Sequence, residues 1–448
     1  MSVTIRPFVA AALLASLAGS ASANVAIEWN NALLDAIRSS SMNPPAASRA
    51  MAMVSTAVFD AVNAVDPQYN AYRLQPAVAP GTSADAAAIT AAHSVLSSIF
   101  TNPAQQAAFN TLRDNQLAGI ADGPGKVAGI NLGLECATDM TAWRVGDGST
   151  ANVPYTPGNN PGDWRPTPPG NAPALLPGWG NVTPFGINNG SQFRPAGPAL
   201  LDSPEYAAQV RQVQIVGAAD AEFADRDNNG MPDRTPEQTQ IAQFWAQGAG
   251  TSTPPGQWNA ITQEIVSSKN LSLLDTARTF ALVNIATADA AIAAWDAKYE
   301  FSTWRPVAAI REAGTDGNPG TEPEANWSSL LVTPPFPSYT SGHSTFSAAA
   351  AAVLAALFGD DTAFTVDSDA MMVGTRSFNS FSEAAAEAGL SRIYGGIHFM
   401  DDNLDGLSSG RQVGLWAHRN YLRPIPEPGA AVLALSAGLT LVRRRRLS

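Results

Sequence analysis

The sequence predicts an all-α protein in which two helical bundles pack as one unit, and three observations support this fold class. Long alanine-rich segments with the helical spacing of apolar residues alternate with connections rich in proline and glycine. Almost no segment alternates apolar and polar residues as a half-exposed strand does. A weak internal repeat also relates the two halves of the chain, as expected if each half forms a similar bundle.

Residues 1–23 resemble a secretory signal. Arg6 is followed by an apolar run over residues 8–17 and then by Ala21-Ser22-Ala23, which is the arrangement of a signal peptide and its cleavage site. A buried N-terminal helix is the alternative. The signal-peptide interpretation predicts an exported protein whose mature chain begins at Asn24.

Residues 426–448 resemble a second sorting signal. Pro426-Glu427-Pro428 precedes an apolar stretch over residues 429–442, and Arg443 to Arg446 follow it. The stretch is shorter than the ~20 residues that a membrane-spanning helix needs. The order of these parts resembles the PEP-CTERM tail of Gram-negative bacteria, which implies a transient membrane anchor and a sorting-tail processing enzyme as partner. A simple anchor helix, the alternative, also places the protein in the cell envelope.

Between these ends, helical periodicity predicts an N-terminal bundle over residues 24–146 and a C-terminal domain over residues 204–425. Residues 147–203 connect them and are dense in proline, glycine and asparagine, with aromatic residues that indicate packing over the helices. The predicted helices of the first bundle cover about 25–38, 45–65, 83–100, 103–120 and 125–146. Those of the C-terminal domain cover about 204–217, 235–247, 257–294, 343–358, 379–394 and 398–421.

The internal repeat matches one helical segment in each half at a constant offset. The matched residues are Arg49, Ala52, Val54, Ala57, Asp60 and Ala61, and then Arg278, Ala281, Val283, Ala286, Asp289 and Ala290. Chance matching in an alanine-rich chain is the alternative. Only the second half carries the residues with a chemical role described below.

Asp225, Asp227, Asn229, Gly230 and Asp233 resemble the first positions of a calcium loop. The glutamate expected at the twelfth position is missing. We favour an Asp/Asn-rich turn before the next helix, with a calcium site as the alternative.

Composition limits the function. Hydrophobic residues make up 45% of the 448 residues, charged residues only 14%, and the net charge is −12. An acidic chain without clustered lysine and arginine argues against a nucleic-acid partner. Lysine occurs at three positions and histidine at four, so any of them inside a motif is informative. These positions are Lys126, Lys269, Lys298, His93, His343, His398 and His418.

Two segments of the second half contain lysine, arginine or histidine residues in positions suited to binding an anion. Lys298 and Arg305 are two helical turns apart, so in a continuous helix both would lie on one face. Ser341-Gly342-His343 stands directly before an alanine-rich helix, whose free N–H groups are a favoured place for an anion.

A third segment adds Arg392, His398 and Asp402. Gly395-Gly396 interrupts the helix between Arg392 and His398, which lets their side chains point the same way. His398 and Asp402 are four residues apart on the next predicted helix, so the carboxylate is expected to orient the imidazole.

Together these residues describe a pocket for a multiply charged oxyanion. Two arginines and a lysine neutralise the charge, and arginine makes bidentate contacts. One histidine is available to bond to the central atom and a second to transfer protons.

The three segments are similar to the tripartite signature shared by type 2 phosphatidic acid phosphatases, bacterial acid phosphatases and vanadium-dependent haloperoxidases. The surrounding length is similar to bacterial vanadium haloperoxidase-like proteins, whose fold is two helical bundles. The signature positions are all filled, by Lys298, Arg305, Pro306, Ser341, Gly342, His343, Ser391, Arg392 and His398.

For a haloperoxidase, the resemblance implies vanadate as cofactor and His398 as its axial ligand. His343 would be the acid–base residue, and hydrogen peroxide, a halide and a small organic acceptor would be the partners. The residues expected to hold the other vanadate oxygens are Lys298, Arg305, Arg392, Ser341 and Gly342. For a secreted acid phosphatase, the alternative, His398 attacks phosphorus and His343 protonates the leaving alcohol. One pocket serves both reactions because five-coordinate vanadate mimics the phosphoryl-transfer transition state.

Two aromatic residues favour the peroxidase. Trp295 and Phe336 stand at the offsets from Lys298 and Ser341 that match the halide-side aromatics of fungal chloroperoxidase-like members. Bromoperoxidase-like members carry histidine at the second position. An apolar wall would desolvate a halide, although plain core packing of either ring is the alternative.

Overall fold

The structure is a computed structural model that describes residues 24–370 and 374–426. It is mostly helical, which confirms the predicted all-α class. The predicted signal peptide and almost all of the predicted sorting tail lie outside the described residues.

The first five helices follow the predicted ranges to within a few residues. Four of them begin at an asparagine or serine whose side chain accepts a backbone N–H of the first turn, and this cap fixes each start. The helices are α1 (Val25–Ser39), α2 (Pro44–Val65), α3 (Ala84–Ile99), α4 (Pro103–Ala118) and α5 (Pro124–Trp143).

The second half is more interrupted than the sequence predicts. The single helix predicted over residues 257–294 is wrong: the chain breaks at Asn270, whose φ is +49°, and a new helix begins after the Ser272 cap. A short antiparallel hairpin was also not predicted. The elements are α6 (Pro204–Val216), α7 (Pro236–Phe244), α8 (Thr253–Ser268), α9 (Leu273–Phe301), α10 (Pro306–Arg311), α11 (Gly342–Phe358), β1 (Phe364–Val366), β2 (Arg376–Phe378), α12 (Phe381–Tyr394) and α13 (Met400–Asn420).

Helix α9 forms the centre of the molecule. It is long and apolar enough to span a membrane by length and composition, yet 94% of its apolar 18-residue window is buried inside the protein. It packs against α2 of the first half and against α11 and α13 of the second. The apolar side chains of α9 therefore lie in one hydrophobic core that both halves share.

The two halves repeat one packing arrangement, α2 with α3 and α5 in the first and α9 with α11 and α13 in the second. In both, a stripe of glycines lets two helices approach closely: Gly129 faces the Ser83 carbonyl, and Gly406 faces the Ser341 carbonyl. Ser83 and Ser341 are the N-caps of α3 and α11. The repeat is thus one of structure as well as of sequence.

The matched aspartates of the repeat also have the same role. The buried Asp60 carboxylate accepts N–H groups of residues 72–74, at 2.7 to 3.1 Å. The buried Asp289 carboxylate accepts those of Phe185 and Ile187, at 2.7 and 2.8 Å. Each aspartate holds an irregular segment against its own bundle.

The Pro/Gly-rich connection packs over the helices. Trp164, Trp179 and Phe185 are buried in it, as expected from its aromatic content. Besides the Asp289 contacts, Arg194 forms a bidentate ion pair with Asp296 of α9. The connection is therefore fixed to the C-terminal half of α9, which carries Lys298.

Candidate oxyanion-binding site

Lys298 lies in the last turn of α9 and is fully buried. Its Nζ donates to the carbonyl oxygens of Pro337, Ser338 and Thr340, at 3.0, 3.0 and 2.5 Å. Three acceptors use the three N–H groups of an ammonium, so this geometry fits the charged form although burial and Arg305 lower the Lys298 pKa well below its usual value. Lys298 therefore both fixes the loop before α11 and brings positive charge beneath it.

Arg305 does not lie on the same helix as Lys298, so the predicted shared helix face is wrong. Helix α9 ends at Phe301, Ser302 adopts a left-handed conformation, and Arg305 caps the separate helix α10. This turn nevertheless brings the guanidinium into the site. Its Nε donates to the Phe336 carbonyl at 2.8 Å, and its Nη1 lies 3.0 Å from Nε2 of His398.

Ser341, Gly342 and His343 form the start of α11, as the sequence predicts. The Ser341 N–H donates to the Asp402 carbonyl at 2.8 Å, which ties this helix start to α13. Nε2 of His343 is buried and has no hydrogen-bond partner among the described residues. Burial, Arg392 and His398 lower the His343 pKa well below its usual value, so the ring is neutral.

Arg392 lies in the last turn of α12 and is fully buried. Its Nη2 donates to the carbonyl of Ala242 at 2.9 Å, and its Nε donates to the Ser391 hydroxyl at 2.9 Å. The Ala242 contact brings α7 into the site, and the backbone of Trp245 just beyond α7 contacts His343.

His398 precedes α13 and does not lie on it, which corrects the predicted helix boundary, while Asp402 is in the first turn. The two side chains still meet, with Nδ1 of His398 2.8 Å from Oδ2 of Asp402. This contact assigns the proton of the neutral ring to Nδ1, so the lone pair of Nε2 points toward the Arg305 guanidinium. Burial and Arg305 lower the His398 pKa well below its usual value, which keeps the ring neutral.

The electrostatics of the pocket favour a bound anion. Burial lowers the pKa of Arg305 and of Arg392 to about 9, because each guanidinium is removed from water. Nη2 of Arg305 is buried without a hydrogen-bond partner among the described residues. Asp402, the carboxylate in contact with His398, already accepts three donors at one oxygen. An oxyanion would supply both the missing charge and an acceptor for the unpaired Arg305 nitrogen, so these residues fit vanadate or phosphate.

Trp295 and Phe336 lie together beside the cations. Their ring centroids are 5.0 Å apart, and the Phe336 ring lies 4.9 Å from Nζ of Lys298 and 4.9 Å from Cζ of Arg305. Gly342 approaches the Trp295 ring, since a Cβ added there would lie 3.6 Å from it. The predicted pair therefore forms one apolar wall of the pocket.

The connecting segment completes this wall through Leu175. The Leu175 carbonyl accepts the Tyr299 hydroxyl at 2.7 Å and the Trp295 indole N–H at 3.3 Å. The Leu175 N–H donates to the Pro335 carbonyl at 2.8 Å. The sequence does not predict this contact, nor the contacts of Ser338, Ala242 and Trp245 in the site. No local motif marks these residues, because each reaches the site from another part of the chain.

The calcium-like loop is an Asx-rich turn in this structure. The Asp225 carboxylate accepts the N–H groups of Asn229 and Gly230, and the Asp233 carboxylate pairs with Arg226 at 3.0 Å. Three carboxylates are close enough to meet at one ion, but two are exposed and all belong to this turn. The pattern that resembled a metal loop is accounted for by these backbone and arginine contacts.

The fold and the three-segment pocket define a class of protein, and comparison with known proteins identifies the same class. Residues 278–426 match the family model of the VCPO second helical-bundle domain. This range contains every predicted anion-binding residue. These matches support the assignment of the chain to the vanadium haloperoxidase superfamily.

Particular relatives are similar over most of the chain. Vanadium chloroperoxidase of Curvularia inaequalis is 28% identical over 372 residues, which cover 68% of this chain and 60% of that protein. The chain thus spans less than two thirds of that relative's length. The first bacterial vanadium-dependent iodoperoxidase matches with a TM-score of 0.76 and 27% identity, covering 89% of this chain and 97% of that one. A holo bacterial vanadium-dependent chloroperoxidase has the same fold, with a TM-score of 0.66, 19% identity and coverage of 85% and 92%.

Proposed function

We propose that this protein is a vanadate-dependent haloperoxidase that uses hydrogen peroxide to oxidise a halide to a hypohalous-acid equivalent. The observation that carries the proposal is His398, a buried neutral imidazole whose Nε2 faces a cluster of buried cations with Nδ1 tied to Asp402. An imidazole held in this way is a ligand for an electrophilic centre and not a proton donor. The named activities of the chloroperoxidase and iodoperoxidase relatives support the same chemistry.

In this proposal the residues divide into ligand, charge and proton roles. His398 binds the vanadate, while Lys298, Arg305 and Arg392 balance its charge. Vanadate, when bound, activates peroxide toward attack by the halide. His343, neutral and with a free nitrogen, accepts the proton that peroxide loses on binding and returns it to the departing oxygen.

The apolar wall supports halide oxidation over phosphate-ester hydrolysis. Trp295 and Phe336 exclude water from the side of the pocket next to Lys298, where a desolvated halide is more reactive. A phosphatase needs water to hydrolyse the phosphohistidine formed on His398. The sheltered wall therefore favours the peroxidase.

The test measures both activities on one preparation. The full chain is stripped of oxyanions and assayed with peroxide and each of chloride, bromide and iodide, before and after addition of orthovanadate. Halide oxidation that appears only with vanadate and falls when phosphate competes is the expected result. Phosphate-ester hydrolysis that vanadate inhibits, without halide oxidation, would instead identify a phosphatase.

We further propose that the protein acts outside the cytoplasm. The signal-like residues 1–23 and the PEP-CTERM-like residues 426–448 support export and transient membrane anchoring before processing. Production of a reactive hypohalous acid outside the cell fits this location. Fractionation of the native host, with N-terminal sequencing of the mature protein, tests it: a start at Asn24 is expected, and an uncleaved cytoplasmic chain would refute it.

A further inference from the structure

Ser338 lies between the loop that Lys298 holds and the His398–Asp402 pair. It is fully buried, its carbonyl accepts Lys298, and its N–H donates to the Thr303 carbonyl at 2.9 Å. Its hydroxyl donates to Oδ2 of Asp402 at 2.5 Å. The hydroxyl oxygen of Ser338 also lies 3.5 Å from Nδ1 of His398. The backbone of Ser338 is thus fixed by both its carbonyl and its N–H, and its hydroxyl is directed to Asp402.

Oδ2 of Asp402 is shared by three donors. The Ser338 hydroxyl, Nδ1 of His398 and the Phe399 N–H approach it at 2.5, 2.8 and 3.1 Å. The negative charge of one oxygen is divided among its donors, so each added hydrogen bond weakens the others' share. The shortest of the three belongs to Ser338, which therefore takes a large part of the charge that would otherwise polarise His398.

We propose that Ser338 is a positioning residue that sets how strongly Asp402 polarises His398, and thereby how tightly Nε2 holds a bound oxyanion. Outer hydrogen bonds of this kind set the basicity of a ligating histidine. With the serine hydroxyl present, Nε2 is a moderate donor, which suits a cofactor that must remain electrophilic toward peroxide. The proposal rests on the proposed role of His398 as the oxyanion ligand.

The first measurement is the affinity for orthovanadate, by calorimetric titration into the full chain. Ser338→Ala removes the competing hydroxyl, so His398 receives more of the carboxylate charge and binding should tighten by about threefold to tenfold. Ser338→Cys, whose thiol is a weaker donor of similar size, should fall between Ser338→Ala and the wild type.

Ser347→Ala is the matched control. This buried serine of α11 also has one hydrogen-bonded hydroxyl, which accepts the indole N–H of Trp258 at 2.8 Å, but it does not touch Asp402. Its affinity for vanadate should equal that of the wild type while its melting temperature falls. Unchanged or weaker vanadate binding by Ser338→Ala would show that Ser338 has only a structural role.

A second measurement needs no vanadate. The Nδ1 proton of His398 should move downfield in the proton NMR spectrum of Ser338→Ala, because its hydrogen bond to Asp402 becomes stronger. A purely structural serine would leave that resonance unmoved or shift it upfield. If the wild type fails to bind vanadate but this downfield shift appears, the proposed function is wrong, while the effect of Ser338 on the polarisation of His398 by Asp402 stands.

Discussion

Lys298 combines two functions in one side chain. Its ammonium holds three carbonyl groups of the loop before α11 and places a positive charge beneath the Phe336 ring. Buried lysines are rare because the charge loses its hydration, so the surrounding acceptors must compensate. An anion in the pocket would compensate further.

Replacing Lys298 tests this double role. In Lys298→Ala three buried carbonyls lose their donor, so the melting temperature should fall by several degrees, and added vanadate should no longer raise it. Lys269→Ala, at the exposed end of α8, is the control and should respond to vanadate as the wild type does. Retention of halide oxidation by Lys298→Ala would refute the assignment of the whole site.

The sequence predicted the charged residues of the site because lysine and histidine are so scarce in this chain. Lys298, His343 and His398 stood out against that background. Ser338 did not, since serine is common and its role depends on a carboxylate 64 positions away. Side chains that act through long-range contacts leave no local pattern.

At the scale of elements, the close approach of α11 and α13 fixes the pocket. Gly410 faces the Thr345 carbonyl, one turn from the Ser341 end of α11. The same contact occurs in the first bundle, where Gly133 of α5 faces the Ala87 carbonyl. The two glycines provide a matched pair in a repeated structure.

A methyl group at either glycine should separate two helices but change function at only one. Gly410→Ala and Gly133→Ala should each lower the free energy of unfolding by about 1–3 kcal/mol, the usual range for overpacking. Only Gly410→Ala should also weaken vanadate binding, since it displaces the start of α11 from His398. Equal loss of binding in both variants, measured by calorimetry, would show that the effect is not local to the pocket.

The Leu175 contact gives the connecting segment a predicted role in the reaction. Tyr299→Phe removes the 2.7 Å hydrogen bond and leaves Trp295 alone on the Leu175 carbonyl. Loosening the apolar wall should raise the KM for halide several-fold and leave vanadate affinity unchanged, because the cations are not disturbed. Tyr155→Phe, in the ring that packs 5.2 Å from Tyr299, is the control. An altered vanadate affinity would contradict this division of roles.

Helix positions were predictable from periodicity, whereas the breaks between helices were not. Asn270 and Ser302 adopt left-handed conformations at the ends of α8 and α9, and neither is a glycine or proline that marks a boundary in sequence. The second break matters for function because it turns Arg305 toward His398. Tertiary contacts with the Phe336 and Ile397 carbonyls hold Arg305 there.

At the scale of the whole molecule, the two halves have the same arrangement of packed helices. Ser83 in the first half and Ser341 in the second cap equivalent helices, but Ala84-Asp85 follows Ser83 where Gly342-His343 follows Ser341. An aspartate at that place repels an anion. The first bundle therefore supports the second through the shared core around α2 and α9.

The repeated aspartates predict how stability depends on pH. Burial raises the pKa of Asp289 to about 7 from 3.8, and that of Asp60 to about 6. A folded state that binds the proton more tightly than the unfolded state loses stability as pH rises between the two pKa values. From pH 5 to pH 8 this loss is about 3 kcal/mol for Asp289 and about 1 kcal/mol for Asp60.

Chemical denaturation of Asp289→Asn and Asp60→Asn at pH 5 and pH 8 measures these contributions. Both variants should be less stable than the wild type, since the amide NH2 that replaces one carboxylate oxygen cannot accept the backbone N–H bound there. The difference in the free energy of unfolding between the wild type and each variant should be smaller at pH 8 than at pH 5. This decrease should be larger for Asp289→Asn than for Asp60→Asn. A difference in stability that is the same at both pH values would mean that the backbone N–H groups already keep both carboxylates ionised at pH 5 in the folded protein.

Titration of orthovanadate into the wild type, His398→Ala and His418→Ala tests directly whether His398 forms the oxyanion site. His418 lies near the end of α13, outside the pocket, and serves as the control. We predict one binding site in the wild type and in His418→Ala, and a loss of affinity on the order of 100-fold in His398→Ala, which lacks the ligand nitrogen. Full affinity in His398→Ala would contradict the assignment of this pocket as the oxyanion site.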